Sequence, residues 1–181
     1  MDKIQSKFLT ILKLMDDCRN KLYATLNLFV TKYEEAKSAR VELREIYEKL
    51  LEYRDEIMAL VASGKGKARI SGIKQSCATE QARHHEITNN INTGIDDPEK
   101  CRKTYKHEVK LCCDTYNALK QGELPASITK GYKQQVKLIR AILDKIEVVK
   151  EKYAVLKQGV KEENAMFEQL YSTINNAQLA R

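Results

Sequence analysis

Five cysteines and three histidines are the side chains of this chain best able to hold a metal or act as a nucleophile. Cys77 and His84 lie seven residues apart, two turns along one helix face. Zinc takes four ligands, so this pair would need two more from another segment. Cys101 and His107 do not share a face. No C-x-x-C and no H-x-x-x-H spacing occurs, and no metal site is expected. Cys112 and Cys113 are adjacent. Neighbours on a helix point about 100° apart, so the expectation is one thiol in a core and one at its edge. The cysteine count is odd, and several cysteines fall on apolar stripes. They read as reduced thiols behaving as small hydrophobes in a cytoplasmic protein.

Ser63-Gly64-Lys65-Gly66-Lys67 has the glycines and lysines of a phosphate-binding loop. It lacks the G-x-x-x-x-G-K-[ST] spacing, and no strand precedes it to aim the backbone N–H groups. It reads as a turn between helices. The acidic pairs Glu34-Glu35, Asp55-Glu56 and Glu162-Glu163 fall on helices close to solvent. A catalytic carboxylate needs a walled pocket to move its pKa. The expectation is therefore a protein that is not an enzyme and uses no cofactor.

Cations offer more. The net charge is +7, from 32 Lys/Arg and 25 Asp/Glu. Residues 1–62 carry 11 of each sign, and residues 63–181 carry 21 basic against 14 acidic. Lys65, Lys67, Arg69 and Lys74 form one acid-free patch at a hairpin tip. Lys130, Lys133, Lys137 and Arg140, with Lys150 beyond, would form a stripe along the last helix if they share a face. These are the candidate contacts for an anionic partner. Near an anionic bilayer each would contribute on the order of 1 kcal/mol. Nucleic acid would call for aromatics interleaved with the cations, and here the tyrosines fall mostly on apolar seams. Nucleic acid thus ranks below a membrane surface as a partner.

The elements that carry these groups are helices. Hydrophobic residues make up 43% and charged residues 31%, with only seven Gly and two Pro. That is enough apolar material for a core and too little turn chemistry for a sandwich or barrel. No apolar run approaches 18 residues, and Phe8 to Met15 does not read as a secretory signal. Breaks fall at Ser63–Lys67, at Asn92–Pro98 and at Gly122–Pro125, where the glycines, Gly94 among them, are expected to end helices by supplying a positive φ. Asp97-Pro98 reads as a helix start, with Asp as N-cap and Pro in the first position. The predicted helices are about 2–62, 67–93, 98–121 and 125–179.

A seven-residue ladder runs through the first helix: Phe8, Met15, Leu22, Phe29, Ala36, Leu43, Leu50 and Ile57. Its companion stripe is Ile4, Ile11, Cys18, Leu26, Tyr33, Tyr47 and Val61, interrupted by Arg40 and Arg54. The last helix repeats the pattern with Tyr132, Ile139, Ile146, Tyr153, Val160, Phe167 and Ile174. Its companion stripe is broken by Gln135 and Glu163. Spacing that alternates three and four is a coiled-coil seam. The tyrosines on it imply shallow burial with the hydroxyl reaching out. The polar residues Arg40, Arg54, Gln135 and Glu163 would set register or mark where a partner enters. Residues 67–93 show a weaker stripe, with a polar gap from Thr79 to Glu86.

At about 1.5 Å per residue, the first helix, the two middle helices together and the last helix are arms of similar length, roughly 80–90 Å. Short turns between them force antiparallel neighbours. The predicted fold is a single all-α domain, an elongated antiparallel three-helix bundle or coiled coil whose middle arm is broken near Asp97-Pro98. Glu56 to Ile70 resembles the hairpin tip between the first two helices of ESCRT-III-type proteins, over 15 of the 181 residues. The bundle plan is similar to BAR-type proteins. The heptads from Tyr153 to Leu170 resemble coiled-coil subunits of cytoskeletal and trafficking complexes. The expected function is a non-catalytic scaffold or adaptor that acts as a stiff spacer in a cytoplasmic complex. Its partners would be other helical subunits or a second copy of the chain. The alternative is a membrane-surface protein, as the ESCRT-III and BAR resemblances imply.

Overall fold

The structure is a computed structural model in which residues 3–180 are described. Its elements are α1 (Lys3–Ser63), α2 (Lys67–Thr93), α3 (Asp96–Leu119) and α4 (Ala126–Asn176), with no strand among the described residues. The protein is an all-α helical bundle. Two of its helices, of 61 and 51 residues, are far longer than the average globular helix.

The chain divides into two compact units. Unit 1 comprises residues 1–33 and 95–152, so it holds the start of α1, all of α3 and the first part of α4. Unit 2 comprises residues 34–94 and 153–181, with the rest of α1, all of α2 and the end of α4. Each unit is three helices thick, and contacts fix their directions. In unit 1, Phe8 meets Tyr116 while Lys21 lies over Tyr105, so α1 and α3 are antiparallel. In unit 2, Glu56 bonds Arg69 and Glu42 bonds Arg83, so α1 and α2 are antiparallel as well. Arg40 meets Glu163 and Tyr47 meets Phe167, so α1 and α4 run the same way.

The eight ladder residues of α1 are all buried, none more than 4% exposed. On α4, Ile139, Ile146, Tyr153, Val160, Phe167 and Ile174 are buried too. Burial on this scale is the main force on the fold, at about 1.5–3 kcal/mol for each fully covered large apolar side chain. The buried face is nevertheless wider than two stripes. Thr25, Ile46 and Tyr171 are buried off the ladder, because each helix in a unit faces two neighbours rather than one. At the other extreme Ile4, on the companion stripe, is 50% exposed.

The breaks follow glycine and proline with two corrections. Gly64 and Gly66 have φ of 70° and 96°, a left-handed turn that L side chains resist. Gly94 does not: its φ is −60°. Its role is space, since a Cβ there would run into the Tyr153 hydroxyl. The start of α3 also differs from expectation. The helix begins at Asp96, its N-cap is Ile95, and no side chain caps it. Pro98 is therefore the third helical residue, still within the first turn, where a missing N–H costs little. Asp96, Asp97 and Glu99 act instead through charge, facing the positive end of the helix dipole.

Candidate functional site

Charge divides along the units. Counted over the sequence ranges of each, unit 1 holds 19 Lys/Arg against 12 Asp/Glu, and unit 2 holds 13 against 13. The whole surplus of +7 thus belongs to unit 1. The split of the linear sequence at residue 62 hid this, because both units draw on both ends of the chain.

In unit 1 the surplus comes from residues 1–33 (+3) and residues 126–152 (+4), while α3 carries five charges of each sign; exposed cations nevertheless line both α3 and α4. Lys130, Lys133, Lys137 and Arg140 step by three and four along α4 and are all exposed, so they do share a face. Lys103, Lys106 and Lys110 do the same on α3. Charge counting along the sequence misses this second stripe, because α3 carries five acids against its five cations and shows no surplus. Between α3 and α4 lies an open groove of about 560 Å³. Its floor is apolar, from Val109, Cys113, Val136, Ile139 and Leu143. Its walls are Arg102, Lys103, Lys106, His107, Lys110 and Arg140, and no acidic side chain lines it.

Two of those wall cations are engaged. Arg102 donates to Glu99 at 2.9 and 2.6 Å, and Lys110 donates to Asp114 at 2.9 Å. Glu99 also meets Lys150 at 3.1 Å, so Lys150 does not extend the free stripe. The Arg102 hydrogen bonds, aided by Lys150 and opposed by burial, pull the Glu99 carboxyl down to about 2. Lys103, Lys106 and Arg140 make no ion pair among the described residues.

The hairpin tip is less free than its sequence implies. Lys65 and Lys67 are exposed and Lys74 is half-buried. Arg69 is clamped by Glu56 through two hydrogen bonds of 2.5 and 2.9 Å. This pair belongs to a ladder on unit 2 that also includes Glu42–Arg83 at 2.8 Å and Lys49–Glu80 at 3.5 Å.

The four polar seam residues separate into three cases. Arg40 and Glu163 find each other across α1 and α4, with Arg40 Nη2 2.6 Å from Glu163 Oε1 and Nε at 3.2 Å. The guanidinium lies over Gly159, where a Cβ would press on it. Gln135 donates from Nε2 to Asp16 Oδ1 at 3.1 Å, also between α1 and α4. Arg54 meets only its neighbour Asp55 and makes no cross-helix bond among the described residues.

The cysteines and histidines do not assemble. Among the described residues no group of three or more His, Cys, Asp or Glu is placed to hold a metal. Cys112 is buried and Cys113 half-buried. Burial, with the Glu108 hydrogen bond, pushes the Cys18 thiol up to about 11, far from a reactive thiolate. His84 is the surprise. It sits in the supposed polar gap of α2, yet it is 1% exposed. Its ring stacks on Phe167 with centroids 4.0 Å apart. Nε2 is 2.7 Å from Asn164 Oδ1 and Nδ1 is 2.8 Å from the Tyr171 hydroxyl. Neutral imidazole with its proton on Nε2 satisfies both bonds, donating to Asn164 and accepting from Tyr171. Burial lowers the His84 pKa and raises that of Tyr171, which keeps the phenol a donor. Tyr153 likewise departs from the shallow burial expected of seam tyrosines. It is 1% exposed and donates to the Ile91 carbonyl at 2.5 Å.

No helix among the described residues is long and apolar enough to cross a membrane. Comparison with protein-family models, with curated protein sequences and with solved structures gives no match.

Proposed function

We propose that the protein is a non-catalytic helical interaction subunit of a multiprotein complex, and that unit 1 meets an acidic protein partner. One observation carries this reading. The entire cationic surplus lies in one unit, and there Lys103, Lys106, Lys130, Lys133, Lys137 and Arg140 stand exposed along two adjacent helices with no ion pair among the described residues. In the other unit the charges balance, and four pairs bond helix to helix. Unpaired charge of one sign steers and selects partners of the other sign.

A second reading, binding to an anionic membrane surface, draws on exposed Lys65 and Lys67 and on the α4 stripe. The engagement of Arg69 by Glu56 weakens the tip's share of it.

The test uses the full chain and a variant with Lys103, Lys106, Lys133, Lys137 and Arg140 all changed to Glu. Both should show the same helical circular dichroism. The wild type should capture acidic proteins from a native extract at moderate salt, and the variant should lose them. An unchanged set of captured proteins would reject the reading. Sedimentation of the wild type alone with phosphatidylserine vesicles would transfer support to the membrane surface.

A further inference from the structure

We infer that the α3–α4 groove of unit 1 receives an acidic amphipathic helix of a partner protein, seated as a fourth bundle helix. The inference rests on the reading of unit 1 as the partner-facing part.

The groove has the form such a helix needs. It is bounded by two antiparallel helices, which is the site a fourth helix takes in a four-helix bundle. On α3 it runs from Arg102 to Cys113, about 16 Å of helix axis, or three turns. Val136, Leu143 and Cys113 are only half-buried, so their outer surfaces remain to be covered by apolar side chains at i, i+3, i+4 and i+7. Charge then selects the occupant. Lys103 and Lys106 on one wall and Arg140 on the other flank that floor unpaired, with no acid in the lining. A helix with an apolar stripe and Asp or Glu on both flanks matches floor and walls together. A basic or neutral-flanked helix matches the floor alone. A flat bilayer surface matches the walls alone and leaves the recessed floor uncovered.

Cys113 in the floor is a reporter, and half-buried Cys101, outside the groove lining, is its internal control. The probe is an 18-residue capped peptide with Leu and Ile in a helical stripe and Glu elsewhere. Its comparators are a scrambled peptide of the same composition and the same stripe flanked by Lys. Read by fluorescence anisotropy on the full chain, the acidic striped peptide should bind about tenfold or more tighter than either comparator. It should slow maleimide labelling of Cys113 and leave Cys101 unchanged, as mapped by mass spectrometry. Lys106→Glu with Arg140→Glu, both exposed, should weaken it about tenfold with the helical spectrum intact.

Equal binding of the scrambled peptide, or unprotected Cys113, overturns the inference. So does protection of Cys113 by phosphatidylserine vesicles in place of the peptide. If the peptide fails while the five charge reversals still strip acidic partners in the capture experiment, the groove assignment falls and the reading of unit 1 stands. If those reversals leave the captured set intact, the reading of unit 1 falls and the groove assignment goes with it.

Discussion

Units 1 and 2 solve the same packing problem with different balances of charge, although unit 1 too joins α3 to α4 through Glu99–Lys150 and Arg102–Glu147. Each buries one half of the same α1 ladder under two other helices. Unit 2 turns its charges inward or sideways. Arg40–Glu163, Glu42–Arg83, Lys49–Glu80 and Glu56–Arg69 link its helices, and His84 is sunk in its core between Asn164, Tyr171 and Phe167. Unit 1 has an aromatic and aliphatic core, with Phe8 edge-on to Tyr116 and Tyr116 stacked on Tyr132 at 3.7 Å. Along its α3 and α4, Lys103, Lys106, Lys130, Lys133, Lys137 and Arg140 are exposed and make no ion pair among the described residues. A neutral unit with a directional polar core is specified from within. A charged unit with an open apolar groove is suited to recognition from without.

The largest test of this contrast truncates one aromatic in each unit. Phe167→Ala removes the ring under His84 and beside Tyr47, and should cost about 3–5 kcal/mol in urea unfolding. Phe8→Ala should cost a similar amount in unit 1. Amide exchange should lose protection first among α2 residues for Phe167→Ala and among α3 residues for Phe8→Ala. Uniform loss in both variants would break the division into two units.

A smaller effect separates two glycines of unit 2. Gly94→Ala sets a methyl against the buried Tyr153 hydroxyl and the Asn90 carbonyl, and should destabilise by about 1–3 kcal/mol. Gly72→Ala meets nothing within 4 Å inside α2, and should stabilise by about 0.5–1 kcal/mol. Thermal unfolding of the two variants gives the signs directly. A neutral Gly94→Ala would remove the close approach as the reason for that residue.

The smallest effect is in pH, and it distinguishes the units by window. His84 is harder to protonate folded than unfolded, where 6.5 is its ordinary value. The unfolded chain therefore binds more protons below that point. Its contribution is intact above about pH 6.5 and is lost as the pH falls below it. Glu99 in unit 1 goes from 4.5 unfolded to about 2 folded. Its contribution is present above 4.5 and is lost as the pH falls toward 2. Unfolding free energies at stepped pH should show both limbs. His84→Gln should flatten the upper limb and Glu99→Gln the lower. A single limb, unmoved by either change, would erase the distinction.

The α1 ladder could be read from spacing because burial acts on every seventh residue alike, and composition cannot disguise it. The Lys130-to-Arg140 stripe was visible in its steps of three and four, and the matching stripe on α3 was masked by the five acids of that helix. His84 was illegible. A histidine amid Thr79, Glu80, Gln81, Arg83 and Glu86 reads as surface. Only Asn164 and Tyr171, 80 and 87 residues away, make its burial affordable. Gly94 misled because glycine has two uses, and its local sequence signals the backbone one.

The amino-acid order by itself determined that this chain is helical, where its helices break and which stripe of each goes inside. Those are short-range matters of periodicity, turn residues and hydrophobic area. Tertiary structure alone decided which cations remain unpaired, which polar groups enter the core and where the groove lies. An ion pair or a buried hydrogen bond depends on a partner's position in space, and that partner here comes from another helix.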